Sequence, residues 1–337
     1  MSNTQKNYDQ GYRSNLNIEE KKFFRKKFCE KSTSKGIFYS SINLGAIYLA
    51  SGIAFLAITQ MASAVLASLV VLAMVLVMTR QMRALENIVH FGSHNNFCNS
   101  RAKNDLITNL FAAWPMLQDV AQYRIFHKTH HGDYGSHDDP CRARLERIGA
   151  IGVEISNNLQ LIVAILRWMP SYVREFYNEV KSSWRQLVNF GIWHFLMSLI
   201  LAVLVSPVFA IFASFMWATS MFLVLPFLRS IAEFSEHDYE RGDTVRETTF
   251  NNLGLLDHAL LHPAGDAWHA LHHLHPTVPW WAQGAAHRFL MERDEAYRQA
   301  QHRDHLIQDI AHLPDAASSK TSGQHGLASG SSDVQFV

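Results

Sequence analysis

Cysteine is scarce in this chain: Cys29, Cys98 and Cys141 are the only three in 337 residues. They lie far apart and form no CxxC pair, which excludes a disulfide framework and a thiolate set for an iron–sulfur cluster. Their expected state is reduced and facing the cytosol, or buried as small apolar groups. A charge bias is also missing. Lys and Arg number 30 against 29 Asp and Glu, a net charge of +1, so bulk electrostatics offers nothing to nucleic acid. No cleavable leader is expected, because the first apolar run follows about 36 mostly polar residues. HExxH is absent, which removes the general base of the zinc proteases. The most informative absence is local. Segments 37–59, 61–79, 188–206 and 208–228 contain no Asp, Glu, Lys or Arg.

A helix needs about 20 apolar residues to cross the hydrocarbon core. The four uncharged runs therefore read as spans in two tight hairpins, turning near Gln60 and at Pro207. Basic residues flank them on one side only. Lys21 to Lys35 precede the first span, and Arg80 and Arg83 follow the second. Arg174, Lys181 and Arg185 precede the third, and Arg229 follows the fourth. By the positive-inside rule both termini and all long segments are expected in the cytosol. Segments 106–126 and 148–168 are semi-apolar but broken by Asn109, Gln118, Asp119, Glu154, Asn157 and Asn158. They are expected to lie as helices in the interface. The organisation reads as a mobile, basic cytosolic segment (1–36), a membrane domain (37–295), and a helix end with a disordered tail (296–337) rich in Ser, Gly, Ala and Asp from Pro314 onward.

Against this background stand three histidine clusters: His90 and His94; His127, His130 and His131; His269, His272 and His273. Residues three or four apart on a helix share a face, so each cluster aims its imidazoles at one point. These are too many ligands for one structural zinc, which takes about four. They suit a pair of transition metals, iron included. By the flanking charges all three clusters fall on one side of the membrane. The expected fold class is an all-α integral membrane protein: four transmembrane helices in two hairpins, interfacial helices, and a cytosolic helical cap holding a histidine-rich di-metal site.

The pattern HxxxH, HxxHH, HxxHH around two hairpins resembles the membrane-bound fatty acid desaturases over residues 37–295. The sharpest match runs from Leu261 through His269, His272 and His273 to Pro276, and on through Val278 and Pro279 to Trp280 and Trp281. The resemblance implies an additional histidine before the third box. His237 is the preferred candidate, with His258 and His262 competing. One departure is Phe91, where many relatives carry an acidic residue after the first histidine, so the partner of His90 must come from elsewhere. Metal-bound imidazoles donate their second N–H to a carboxylate or carbonyl. Candidates are Glu86, Asp138, Asp139, Glu233, Glu236 and Asp266. His194, within the third span, is left out of the site: an ionisable group there is by default a functional candidate, but without a clustered partner a neutral packing role has at least equal weight. His275, His287, His302, His305, His312 and His325 are left out of the site.

The resemblance further implies two iron ions, O2 as co-substrate, and removal of two hydrogens from a lipid acyl chain. Hydroxylation, ketolation or acetylenic-bond formation on the same site are the alternatives. A metal-transport protein is a remoter one, because ligands for transport belong inside the spans. Electrons would come from a ferredoxin or a cytochrome with its reductase. An apolar tunnel is expected for the acyl chain, with Trp114, Trp168, Trp268, Trp280 and Trp281 as candidate lining.

Overall fold

The structure is a computed structural model that describes residues 11–153, 158–181 and 183–304. Residues 1–10, the tail expected from Pro314, His305, His312, His325, and the breaks at Glu154 and Asn157 lie outside the described residues. In chain order the helices are α1 (Ile18–Phe28), α2 (Thr33–Gln60), α3 (Ala64–Ser93), α4 (Arg101–Thr108), α5 (Val120–Gly132), α6 (Pro140–Ile148) and α7 (Asn158–Lys181). They continue as α8 (Trp184–Leu204), α9 (Pro207–Thr219), α10 (Leu225–Glu236), α11 (Val245–Thr248), α12 (His269–Leu274), α13 (Gln283–Arg293) and α14 (Glu295–Arg298). Two short strands, β1 (Phe250–Asn252) and β2 (Gln301–Arg303), pair in parallel with Phe250 beside Gln301.

Among the described residues, four stretches are long and apolar enough to cross a membrane: α2, α3, α8, and the continuous rod Pro207–Glu236. That rod joins α9 to α10 through a π-helical turn at Ser220–Val224. Both hairpin turns are set by caps. Ser63 accepts from the Leu66 N–H, and Ser206 accepts from the Phe209 N–H with Pro207 in the first turn. These caps satisfy donors that a helix start leaves without partners. On α2, Ile47, Ala50, Ser51 and Ala54 are buried at helical spacing, while Leu49, Ile53 and Leu56 are exposed. The small buried residues let α2 and α3 approach closely, and Ser51 Oγ lies 3.5 Å from Met78 Sδ. The exposed residues are as apolar as the buried ones, which fits hydrocarbon around the helices.

Two spans are longer than their uncharged runs. Helix α3 continues past residue 79 to Ser93, and the fourth rod continues past residue 228 to Glu236. Loss of hydrophobicity at Arg80 and Arg229 marks the end of the apolar zone, not of the helix. The next residues, Met82, Ala84, Leu85 and Glu86, are good helix formers.

The segment 106–126 is not one interfacial helix. It breaks into α4, a π turn (Asn109–Ala113), a 3-10 turn (Trp114–Met116) and α5. Pro115 lacks an N–H, Leu117 takes a left-handed φ of 58°, and Asp119 restarts the helix by accepting from the N–H groups of Ala121 and Gln122. Likewise 148–168 divides where Gly149 closes α6 in a left-handed conformation and α7 begins at Asn158. Helix α1, in the segment expected to be mobile, buries Phe24 and Phe28 in a cluster with Leu271, Leu274 and Leu290.

Candidate metal centre

Each histidine cluster is carried to one end of the helical frame by a different device. His90 sits on the last turns of α3, and His94 is that helix's C-terminal cap. Helix α5 presents His127, His130 and His131. Arg124 clamps it to α3, with Nε donating to Ser93 O at 2.7 Å and Nη1 to Asp105 at 2.9 Å. Helix α12 presents His269, His272 and His273. It follows a tight turn in which Gly265 has φ 83°, and a Cβ there would stand 2.8 Å from Trp280 O. Only glycine fits that position. His237 ends α10 and is held by an isolated bridge to Thr249.

The nine rings gather into two donor sets. His90, His94, His127, His131 and His272 have ligand atoms within 4.8 Å of one another, as do His130, His237, His269 and His273. In the first set, His272 Nε2 lies 2.8 Å from His90 Nε2, 3.2 Å from His131 Nε2 and 3.3 Å from His127 Nε2. In the second, His130 Nε2 is 3.3 Å from His273 Nε2, and His269 Nε2 is 3.1 Å from His237 Nε2.

Surrounding groups turn the rings so that Nε2 points inward. His130 donates from Nδ1 to Asp139 at 2.8 Å. Asp139 is also fixed by the N–H groups of Gly135 and Cys141, each at 2.9 Å. Asp266 stands 3.4 Å from His90 Nδ1 and 3.5 Å from His269 Nδ1. It thereby supplies the partner that Phe91 does not. Tyr134 Oη lies 3.0 Å from His237 Nδ1 and 2.8 Å from both Thr248 and Thr249 Oγ1. A neutral ring that donates from Nδ1 has its lone pair on Nε2. The lone pairs of His90, His130 and His237 are thereby turned toward the two sets. His94 Nε2 is buried with no hydrogen-bond partner. This donor chemistry fits a cation in each set.

Burial favours the neutral form of several of these rings. Burial, reinforced by neighbouring imidazoles, lowers His94 to about 3 and holds His127, His131, His237, His272 and His273 well below the ordinary value. Burial lowers His269 to about 4, against the pull of Asp266. Burial alone would raise Asp266, but hydrogen bonds from His262, His269 and His90 and the Arg83 guanidinium hold it well below the usual carboxylate range. Asp139 is also lowered: burial opposes, and His130 with two backbone N–H groups prevails.

The other sequence candidates fall elsewhere. His262 is outside both donor sets and lies 2.8 Å from Ser235 Oγ. The His258 ring lies 4.7 Å from that of Trp268, tilted by 56°. Asp138 is exposed, and its N–H turns back to Ser136 Oγ. Glu86 pairs with Arg229 and Arg83, and Glu233 with Arg144, so neither meets an imidazole. Glu236 meets Arg83 at 3.0 Å and stands 3.8 Å from His269 Nε2. His194 Nε2 lies 3.2 Å from Pro115 O, a packing contact inside the frame. His275 meets Tyr12 Oη, and His287 meets Tyr297 Oη.

Sequence reasoning missed Arg83, Arg124 and Tyr134. Arg83 is buried and donates to both Glu236 and Asp266 at 3.0 Å. Read as a flanking charge, it gave one available signal: its place two helical turns before His90, on the same face. Tyr134 gave a similar signal, four residues after His130.

A cavity of about 290 Å³ opens beside both sets. His90, His127, His130, His237 and His269 form part of its lining, with Arg83, Glu86, Arg144, Arg229 and Glu233 around them.

The sequence profile of the family described as Fatty acid desaturase matches residues 64–305. The chain is also similar to a dihydrorhizobitoxine desaturase of Bradyrhizobium elkanii, 24% identical over 270 residues, covering 74% of this chain and 76% of the relative.

Proposed function

The chain belongs to the fatty acid desaturase family, and from that premise we propose that it is an O2-dependent, di-iron desaturase of the membrane. The observation that carries this reading is the sorting of nine imidazoles, seven buried and two half-buried, into one set of five and one of four. One iron would be held by His90, His94, His127, His131 and His272, the other by His130, His237, His269 and His273. Bound there, the iron pair supplies the oxidising power that an aliphatic C–H bond demands and that acid–base side chains lack. The overall change is –CH2–CH2– + O2 + 2 e⁻ + 2 H⁺ → –CH=CH– + 2 H2O. The two electrons come from an external carrier, a ferredoxin or a cytochrome with its reductase.

The protein's own part is positional. Asp139, Asp266 and Tyr134 face the Nδ1 atoms of His130, His90 and His237, which orients those rings and their tautomers. Arg83 offsets the charge of Asp266 and Glu236. Burial keeps bulk water from the rings. The cavity then sets one pair of carbons against the two donor sets, and orientation alone supplies much of the rate. The transmembrane frame suits a substrate that arrives from the bilayer, such as a lipid acyl chain. The flanking Lys and Arg support a cytosolic site and cytosolic termini. The relative is named for desaturating dihydrorhizobitoxine, which favours loss of two hydrogens over hydroxylation here.

The test is metal analysis with product analysis. Protein purified in detergent should carry close to two irons per chain and consume O2 when reduced. Mass spectrometry should show product lighter by two hydrogens. Product heavier by one oxygen would make the enzyme a hydroxylase, and folded protein with under one iron per chain would remove the reading.

A further inference from the structure

Asn251 and Asn252 sit side by side in β1, fully buried, and belong to neither donor set. A buried amide is retained only where its donors and acceptors find partners. Successive side chains of a strand point to opposite sides, so the pair reaches two different helices. Each of those helices presents histidines of the four-ring set: α10 ends in His237, and α12 carries His269 and His273.

Asn251 Oδ1 accepts from the Leu271 N–H at 3.1 Å. Leu271 stands between His269 and His272 in the first turn of α12, where N–H groups have no partner inside the helix. Trp268, the residue before α12, gives no side-chain cap, and the helix is only six residues long. Asn251 supplies from a distant strand the acceptor that the local sequence lacks. Asn252 does the reverse at the other helix. Its Nδ2 donates at 3.2 Å to Ser235 O. That carbonyl lies in the last turn of α10, two residues before His237, where C=O groups are left open.

The partners fix both amides, because an N–H must meet oxygen and a carbonyl must meet N–H. Asn251 therefore turns Oδ1 to α12 and Nδ2 away from it, to Tyr297 Oη and His302 Nδ1, both at 3.1 Å. Strand β2 backs the pair, with His302 beside Asn251 and Arg303 beside Asn252. Arg303 Nη1 also reaches Ser235 O, at 3.4 Å. The bridge from Thr249 to His237 brings the same segment against the end of α10. Between the two capped helices, His237 Nε2 and His269 Nε2 stand 3.1 Å apart.

Resting on the di-metal reading above, we propose that Asn251 and Asn252 form a double cap that sets α10 against α12 and so fixes the spacing of the four-ring set. They are positioning residues; neither is a ligand. The two act on different metals. His237 belongs to the four-ring set alone, so Asn252 governs one metal. Helix α12 serves both sets, through His269 and His273 in one and His272 in the other, so Asn251 governs both.

The experiment titrates a coloured iron(II) chelator into the iron-loaded, reduced full chain in detergent and follows the release of each iron. The melting temperature of every variant is measured alongside. Asn252→Leu keeps the volume and leaves Ser235 O to the longer Arg303 contact. It should weaken the hold on one iron about 10–100-fold and leave the other as tightly bound as before. Asn251→Leu should weaken both. Asn251→Asp restores an acceptor for the Leu271 N–H and should recover much of that loss. Where a leucine variant does not fold, Asn252→Ser and Asn251→Ser make the same comparison without an apolar group in a polar site. Unchanged release in every variant overturns the proposal. Equal loss of both irons in the Asn252 variants does so too, since that is what a general loosening of the fold produces. A wild-type chain that loads under one iron removes the parent reading and this one with it.

Discussion

The two halves of α3 are built on opposite rules. Before Thr79, Val65, Leu66, Leu69, Leu72 and Leu76 face outward and exposed. Beyond Arg80, every residue from Met82 to Ser93 is buried, including Arg83, Glu86, Asn87 and His90. The first half needs only to be apolar, because hydrocarbon makes no directional demands. The second must find a partner for each polar atom it encloses, since an unpaired buried charge costs several kcal/mol. Asn87 Nδ2 donates to Pro263 O at 2.8 Å, and Arg83 spans two carboxylates. One helix thus passes from a region specified by composition to one specified atom by atom.

The contrast can be broken at its strongest point first. His272 Nε2 is the hub of the five-ring set, so His272→Ala should reduce turnover to background and lower iron per chain. Product and metal assays on the same preparation check this. Full activity would remove His272 from the site. Arg83→Met comes next. It leaves Glu236 and Asp266 buried without their cation and should cost about 3–5 kcal/mol, read as a lowered melting temperature in detergent. An unchanged melt would mean that the polar half is not held together by pairing.

Smaller effects sharpen the comparison. Asp139→Asn keeps shape but weakens the hold on His130, and should reduce iron affinity about 10–100-fold in a chelator competition. Equal retention of iron would show that His130 needs no orienting carboxylate. Leu72→Ala, on the exposed apolar half, should shift stability by no more than about 0.5 kcal/mol. A large loss there would place a packing partner on a face that this chain leaves uncovered.

The same division explains what could be read from the chain. Four candidate spans and their pairing were legible because hydropathy reports on the bilayer without reference to tertiary contacts. The histidines were legible because repeated spacing on a helix is a strong local signal. The path of 106–126 was not, since a π turn and a left-handed Leu117 depend on how Asn109 Oδ1 caps Val120 N–H at 2.9 Å. The ion pairs beside the cavity were also hidden. Arg144 and Glu233 are 89 residues apart, and each reads alone as a solvated charge. His237 was preferred over His262 on position alone, and the fold brings His237 Nε2 within 3.1 Å of His269 Nε2. What separates them is Ser235, which engages His262 in the fold.

Helix α3 is one unbroken rod of 30 residues. At about 1.5 Å per residue, it links the far hairpin turn rigidly to His90. A piston-like displacement of the rod would therefore move that imidazole against α5 and α12, with no joint to absorb it. Such a displacement would couple bilayer thickness to the spacing of the donor sets. Reconstitution into lipids of increasing chain length would load that coupling directly.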